Sequence, residues 1–161
     1  STHLAGELFK TMAGVDMVHI PYQGGSAPLL AIMNGQVDLG FDSIIQTLPH
    51  VKSGRLRGIA VTSAERVAAE SSIPTLAESG VRGYDVNNWH GLIGPRGLSP
   101  ALVERINKDI VRIMQEGDMG EKLRREGVAP AAGTPKVFLD QLKKEIQTWR
   151  RVVEQTGIKI H

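Results

Sequence analysis

A chain of 161 residues, 41% hydrophobic and 22% charged, has the composition of an ordinary soluble protein and enough length for one domain with a buried core. The absence of cysteine excludes disulfides and cysteine-based metal or redox centres. No apolar run reaches the roughly 18 residues of a membrane span, and a net charge of +2 is far from a nucleic-acid footprint, so no nucleic-acid partner is expected.

The chain opens on Ser1, Thr2 and His3 rather than Met. A processed or excised piece would begin this way, so the lack of a visible secretory signal decides nothing about compartment. Apolar residues at 4, 5, 8, 9 and 12 predict a helix over 4–13, capped by Ser1 or Thr2 and closed by Gly14. Residues 18–22 form a short apolar run suited to a buried strand. Gly24 and Gly25 break it and let the backbone approach a ligand closely. Ser26 is an N-cap, Pro28 is tolerated in a first helical turn, and Leu29, Leu30, Ile32 and Met33 supply a buried face. Gly35 stands where a glycine would stop that helix.

A second strand is expected over 37–41, ending at Asp42 and Ser43, then a helix over 44–52 that Pro49 should kink or shorten. Residues 56–62 read as a strand. Periodicity fades from 65 to 85, although Thr75 and Glu78 have capping-box spacing for a short helix over 73–80. A strand over 86–93 precedes a helix from Ser99 and Pro100 to about Glu116, with Leu102, Ile106, Ile110 and Ile113 on one face. A helix over 119–126 stops at Gly127, and 128–132 can form a short strand. A long amphipathic helix then runs from Thr134 and Pro135 to about Gln155, stopped by Gly157. Alternating strands and helices predict an α/β fold with a largely parallel sheet and a boundary or hinge within 64–85.

Three helix starts carry small polar residues: Ser1 with Thr2, Gly24 and Gly25 with Ser26, and Asp42 with Ser43. The last two follow predicted strands, where open α/β folds place ligands. Free backbone N–H groups and the positive end of a helix dipole suit a carboxylate or phosphate there. The competing reading is that each is only a helix cap, since the same residue types are favoured there anyway. The glycine loop lacks the lysine of a P-loop and the spacing of a dinucleotide fingerprint. Asp42 either orients water, a ligand hydroxyl or an ammonium group, or caps the next helix.

His3, His19, His50 and His90 are scattered and His161 is terminal, so no metal-ligand pair forms. No Ser/His/Asp triad can be assigned by spacing, so no catalytic residue and no cofactor is expected. Tyr84 and Trp89 are either core or walls of a ligand cleft.

Several motifs occur in order: Ser1 to Phe9, His19 to Pro28, Gly35 to Asp42, Leu48 to Ser63, Ile73 to Gly80, and Trp89 to Pro95. Together they resemble the Bug-type extracytoplasmic solute receptors of tripartite tricarboxylate transporters, over essentially the whole chain. The resemblance implies a type II periplasmic-binding-protein-like α/β fold, with a parallel-rich sheet flanked by helices. The chain would carry the C-terminal half or slightly more: residues 1–84 as the second ligand-binding lobe, and 85–161 as a return strand and C-terminal helices of the first. It implies a non-enzymatic periplasmic receptor that captures a di- or tricarboxylate, acidic amino acid or aromatic acid for membrane transporter subunits. Carried onto this sequence, Ser1, Thr2 and His3 begin the first helix of that lobe. Tyr22, Gly24, Gly25, Ser26 and Ala27 form the carboxylate-facing loop, and Asp42 ends the neighbouring strand. Exposed apolar faces on helices 99–116 and 134–155, and self-association through them, are expected when the first lobe is incomplete. The alternatives are a ligand-sensing regulatory module of the same two-lobed fold, or an enzyme acting on an anionic substrate.

Overall fold

The computed structural model describes residues 2–22, 26–116 and 118–156. The chain divides into two compact units, Ser1–Asn88 and Trp89–His161.

The first unit contains α1 (Thr2–Ala13), α2 (Ser26–Met33), α3 (Ile44–Lys52) and a single 3-10 turn, Ala68–Glu70. Helix ends fall close to their sequence signals because those signals are local. Gly35 stops α2 with a φ of 67°, its N–H bonding the Ile32 carbonyl while Gln36 bonds that of Ala31. α3 reaches its full predicted length with Pro49 inside it. The core is built from Ala5, Leu29, Ala31, Leu48, Ile73, Thr75, Tyr84 and Val86. Tyr84, 1% exposed, donates its hydroxyl to the Ala5 carbonyl at 2.7 Å and so pins α1 to a segment far along the chain. Burial raises the Tyr84 pKa well above the ordinary phenol value. Leu30, expected inside, is 54% exposed, while Leu29 and Ala31 are buried.

The predicted parallel sheet is corrected by the structure. Among the described residues no strand ladder forms, and the segments 18–22, 37–41, 56–62, 86–93 and 128–132 are irregular. One parallel bridge joins Val61 to Thr75, with Val61 N–H bonding the Pro74 carbonyl and Leu76 N–H that of Val61. Val86 N–H adds a bond to the Thr62 carbonyl at 2.8 Å. The reason is physical. Apolar composition favours a buried strand, but a strand exists only when a neighbour accepts its backbone groups. Without one, Val18 is 85% exposed and Ile93 80%. The short helix expected over 73–80 is also corrected. Its capping box forms, with Thr75 N–H bonding Glu78 Oε2 at 2.8 Å and Glu78 N–H bonding Thr75 Oγ1 at 3.0 Å. The backbone there makes turns rather than a helix. That Thr75 bond and the Arg66 guanidinium hold the Glu78 carboxyl below its usual range.

In the second unit, α4 (Pro100–Gln115) packs against α5 (Met119–Arg125) and α6 (Pro135–Thr156). The Ser99 hydroxyl caps α4 by accepting from Leu102 N–H at 3.3 Å, and Thr134 does the same for α6 through Val137 N–H. Gly157, the expected stop of α6, lies outside the described residues. The apolar rows of α4 and α6 reach solvent, with Ile113 51% and Val137 58% exposed. Trp89 is a packing residue here. Its ring meets Phe138 edge-on at 5.2 Å between centroids, and its Nε1–H donates to Glu145 at 2.6 Å.

Gly91 lies against the Phe138 ring, so a methyl group there would collide with it. Gly91→Ala is expected to displace that ring from Trp89 and to cost about 1–3 kcal/mol as overpacking. Trp89 emission, read in a Trp149→Phe background during urea unfolding, checks this. An unchanged spectrum with an unchanged midpoint would show that the ring moves aside freely.

Candidate functional site

The expected ligand contacts fall in the first unit, at the starts of its three helices. Thr2 is the first residue of α1 and is exposed. His3 follows in the same turn. Tyr22 ends the segment before α2 and is 37% exposed. Ser26 opens α2 and is exposed, while Ala27 is half-buried. The structure begins the helix at Ser26 itself, one residue earlier than an N-cap role requires. Asp42 is half-buried and stands two residues before α3. Ser1, Gly24 and Gly25 lie outside the described residues.

Two side-chain contacts tie neighbouring segments to α1. The His3 and His19 imidazoles stack with centroids 3.8 Å apart and planes 9° from parallel. That contact joins the first turn of α1 to the segment leading into α2. Phe41 packs on the other approach: its ring lies 5.7 Å from that of Phe9, and a methyl group on Gly6 would come within 3.4 Å of it. Phe41 thereby sets the backbone just before Asp42. The pairing of His3 with His19 was not readable in advance, because nothing in their spacing marks them as neighbours.

The local chemistry suits an acceptor-rich ligand. The Asp42 carboxylate accepts from Ser43 N–H at 2.7 Å, so part of its charge is already engaged by the start of α3. The Ser43 hydroxyl makes no capping bond, and the Ser43 carbonyl instead accepts from Gln46 and Thr47 N–H. The Thr2, Tyr22 and Ser26 hydroxyls have no hydrogen-bond partner among the described residues. Burial lowers the His3 pKa, His19 lowers it further, and Glu7, 3.8 Å away, offsets them only in part. These surroundings favour the neutral His3 imidazole. Among the described residues no cluster of three or more His, Asp or Glu could hold a metal ion. A hollow of about 300 Å³ in the second unit, lined by Met114, Gln115, Arg124, Pro130 and Ala132, contains none of these residues.

Polar helix starts of this kind suit an anionic ligand. The chain belongs to the tripartite tricarboxylate transporter family of receptors, whose sequence profile matches residues 1–158. These are non-enzymatic, periplasmic solute-binding proteins. Three solved structures are similar. Rpa4515 of Rhodopseudomonas palustris, determined with adipate, is 34% identical with a TM-score of 0.89, over 98% of this chain and 52% of that one. The periplasmic binding protein BugD is 27% identical with a TM-score of 0.84, over 99% and 54%. MatC of R. palustris, with bound malate, is 27% identical with a TM-score of 0.83, over 94% and 53%. The chain also spans about half the length, 46% and 48%, of two curated relatives it matches.

Proposed function

We propose that this chain supplies the carboxylate-gripping helix starts of a periplasmic receptor, which captures a small dicarboxylate and delivers it to the membrane subunits of a tripartite transporter. In this reading residues 1–84 are the second lobe of a type II periplasmic-binding-protein-like α/β fold. Residues 85–161 are the return into the first lobe and its C-terminal helices. Ser1, Thr2, His3, Tyr22, Gly24, Gly25, Ser26, Ala27 and Asp42 face the ligand.

One observation carries the proposal. His3 on His19, and Phe41 on Gly6 and Phe9, tie the segment that ends at Tyr22 and the residue before Asp42 to α1, which supports reading the three polar helix starts as one assembly. Helix starts stabilise anions through free N–H groups and the dipole. Relatives solved with adipate and with malate support a dicarboxylate in particular. Tricarboxylates, aromatic acids and acidic amino acids are the other members of the expected ligand class.

Thermal unfolding of the 161-residue chain with adipate or malate tests the reading. At about 100 times the dissociation constant, bound ligand adds roughly 2.7 kcal/mol and raises the midpoint accordingly. A midpoint unmoved by both acids, and by the aromatic and amino acids, would remove ligand capture from this chain.

A further inference from the structure

We propose that the exposed side of α6 is a docking surface for an anionic lipid bilayer, with Lys143, Lys144, Arg150 and Arg151 meeting the phosphate headgroups. The bearing of this contact on ligand delivery rests on the receptor reading; the contact itself does not.

α6 has two sides of opposite character. At about 100° per residue, positions seven apart share a face of a helix. Phe138, Glu145 and Val152 follow that spacing and form the packed side. Phe138 meets Trp89 edge-on, Glu145 accepts from the Trp89 indole N–H, and Val152 is 5% exposed. Lys143 and Arg150 stand roughly opposite that side, and Lys144 and Arg151 flank them. The four extend over about 12 Å of helix and about a third of its circumference. All four are exposed, as is Gln147 among them.

Their charges are not engaged within the protein. Among the described residues, none of the four side chains makes an ion pair or a hydrogen bond to a carboxylate. Other exposed cations of the second unit are paired: Lys108 with Glu104, Arg112 with Asp109, and Lys122 with Asp118. Asp140, on the same side of α6, is held by Lys136 at 2.6 Å. Glu154 shares that side only at its far end.

The stripe suits a bilayer better than a protein partner. It is a straight row on a convex helix, without the aromatic anchor and pocket that give a protein interface its affinity. A bilayer asks for less. Its phosphates are laterally mobile and gather beneath each cation, and long Lys and Arg side chains reach them while the backbone stays in water. Four basic residues aligned on an amphipathic helix are the pattern that attracts anionic membranes. A periplasmic receptor works beside the membrane that holds its transporter, so such a surface lies within its reach.

Co-sedimentation of the 161-residue chain with phosphatidylcholine vesicles, with and without phosphatidylglycerol and without carboxylate ligand, tests this. Binding is expected only with phosphatidylglycerol. It should be lost as salt rises from about 0.1 M to about 1 M, which shortens the screening length from about 10 Å to about 3 Å. Each cation removed should weaken binding about fivefold, so Lys143→Gln with Arg150→Gln should cost about 25-fold, and removal of all four still more. Glutamine suits a helix about as well as lysine or arginine does, so circular dichroism should be unchanged. Should the fourfold variant fail to fold, the double variant decides. Arg55→Gln with Arg57→Gln removes the same charge from exposed positions elsewhere and should weaken binding less than about twofold. Equal binding to neutral vesicles, a stripe double variant as tight as the parent chain, or a control double variant as weak as the stripe variant would each overturn the proposal. So would failure to bind phosphatidylglycerol vesicles, which would leave the stripe to an acidic protein surface.

Discussion

Tyr84→Ala is expected to destabilise the first unit by about 3–5 kcal/mol, the range for emptying a large buried aromatic site. Tyr84 is 1% exposed and is the largest fully buried side chain described. Its loss would leave a cavity between α1 and the segment carrying Val81 and Val86. It would also leave the Ala5 carbonyl without the hydroxyl that bonds it at 2.7 Å. The two contributions can be separated. Tyr84→Phe removes only the hydroxyl and should cost about 1–3 kcal/mol, because the carbonyl it abandons is buried. Domains hold only about 5–15 kcal/mol in total, so the alanine variant should lose a large share of that stability and the phenylalanine variant a smaller one. Urea unfolding followed by circular dichroism measures both. Equal midpoints for Tyr84→Phe and the parent chain would mean that water replaces the hydroxyl.

The helices were legible because their determinants lie within a few residues of each end. Ser99 before Pro100, Thr134 before Pro135, and Gly35 after α2 act through their own backbone neighbourhood, and each is found in that role. The sheet was not legible in the same sense. Apolar runs such as 18–22 specify a preference for burial on both faces, but the partner that satisfies it must come from elsewhere. Here Val61 finds Thr75, whereas Val18 finds nothing among the described residues and stays in solvent. The same separation governs the candidate site. Thr2, Ser26 and Asp42 could be placed at helix starts from local signals. That His3 meets His19, and that Phe41 meets Phe9, depends on how the intervening chain returns to α1. Thr75 shows both effects at once: its box with Glu78 forms as the spacing predicts, yet no helix propagates from it. A single hydrogen-bonded turn fixes several dihedrals for one bond, and only added turns repay that cost.

Ser26→Leu is expected to weaken adipate or malate binding by at least about a hundredfold, two decades of affinity. Ser26 begins α2, so its side chain stands beside the first N–H groups of that helix, and Pro28 removes one donor from the same turn. A carboxylate reaching this end needs both the remaining donors and room to approach them. Leucine supplies neither a hydroxyl nor space, and any carboxylate it displaces returns to water. The residue is exposed, and leucine favours a helix at least as well as serine does, so the fold should keep its unfolding midpoint. Loss of binding would therefore not reflect loss of structure. Ser26→Ala distinguishes the two causes: it removes the hydroxyl but leaves space, and should weaken binding only about three- to tenfold. Titration calorimetry on the two variants and the parent chain orders them. If Ser26→Leu binds as tightly as the parent chain, the start of α2 does not touch the ligand. The grip would then fall to Thr2 and to Asp42 with the first turn of α3.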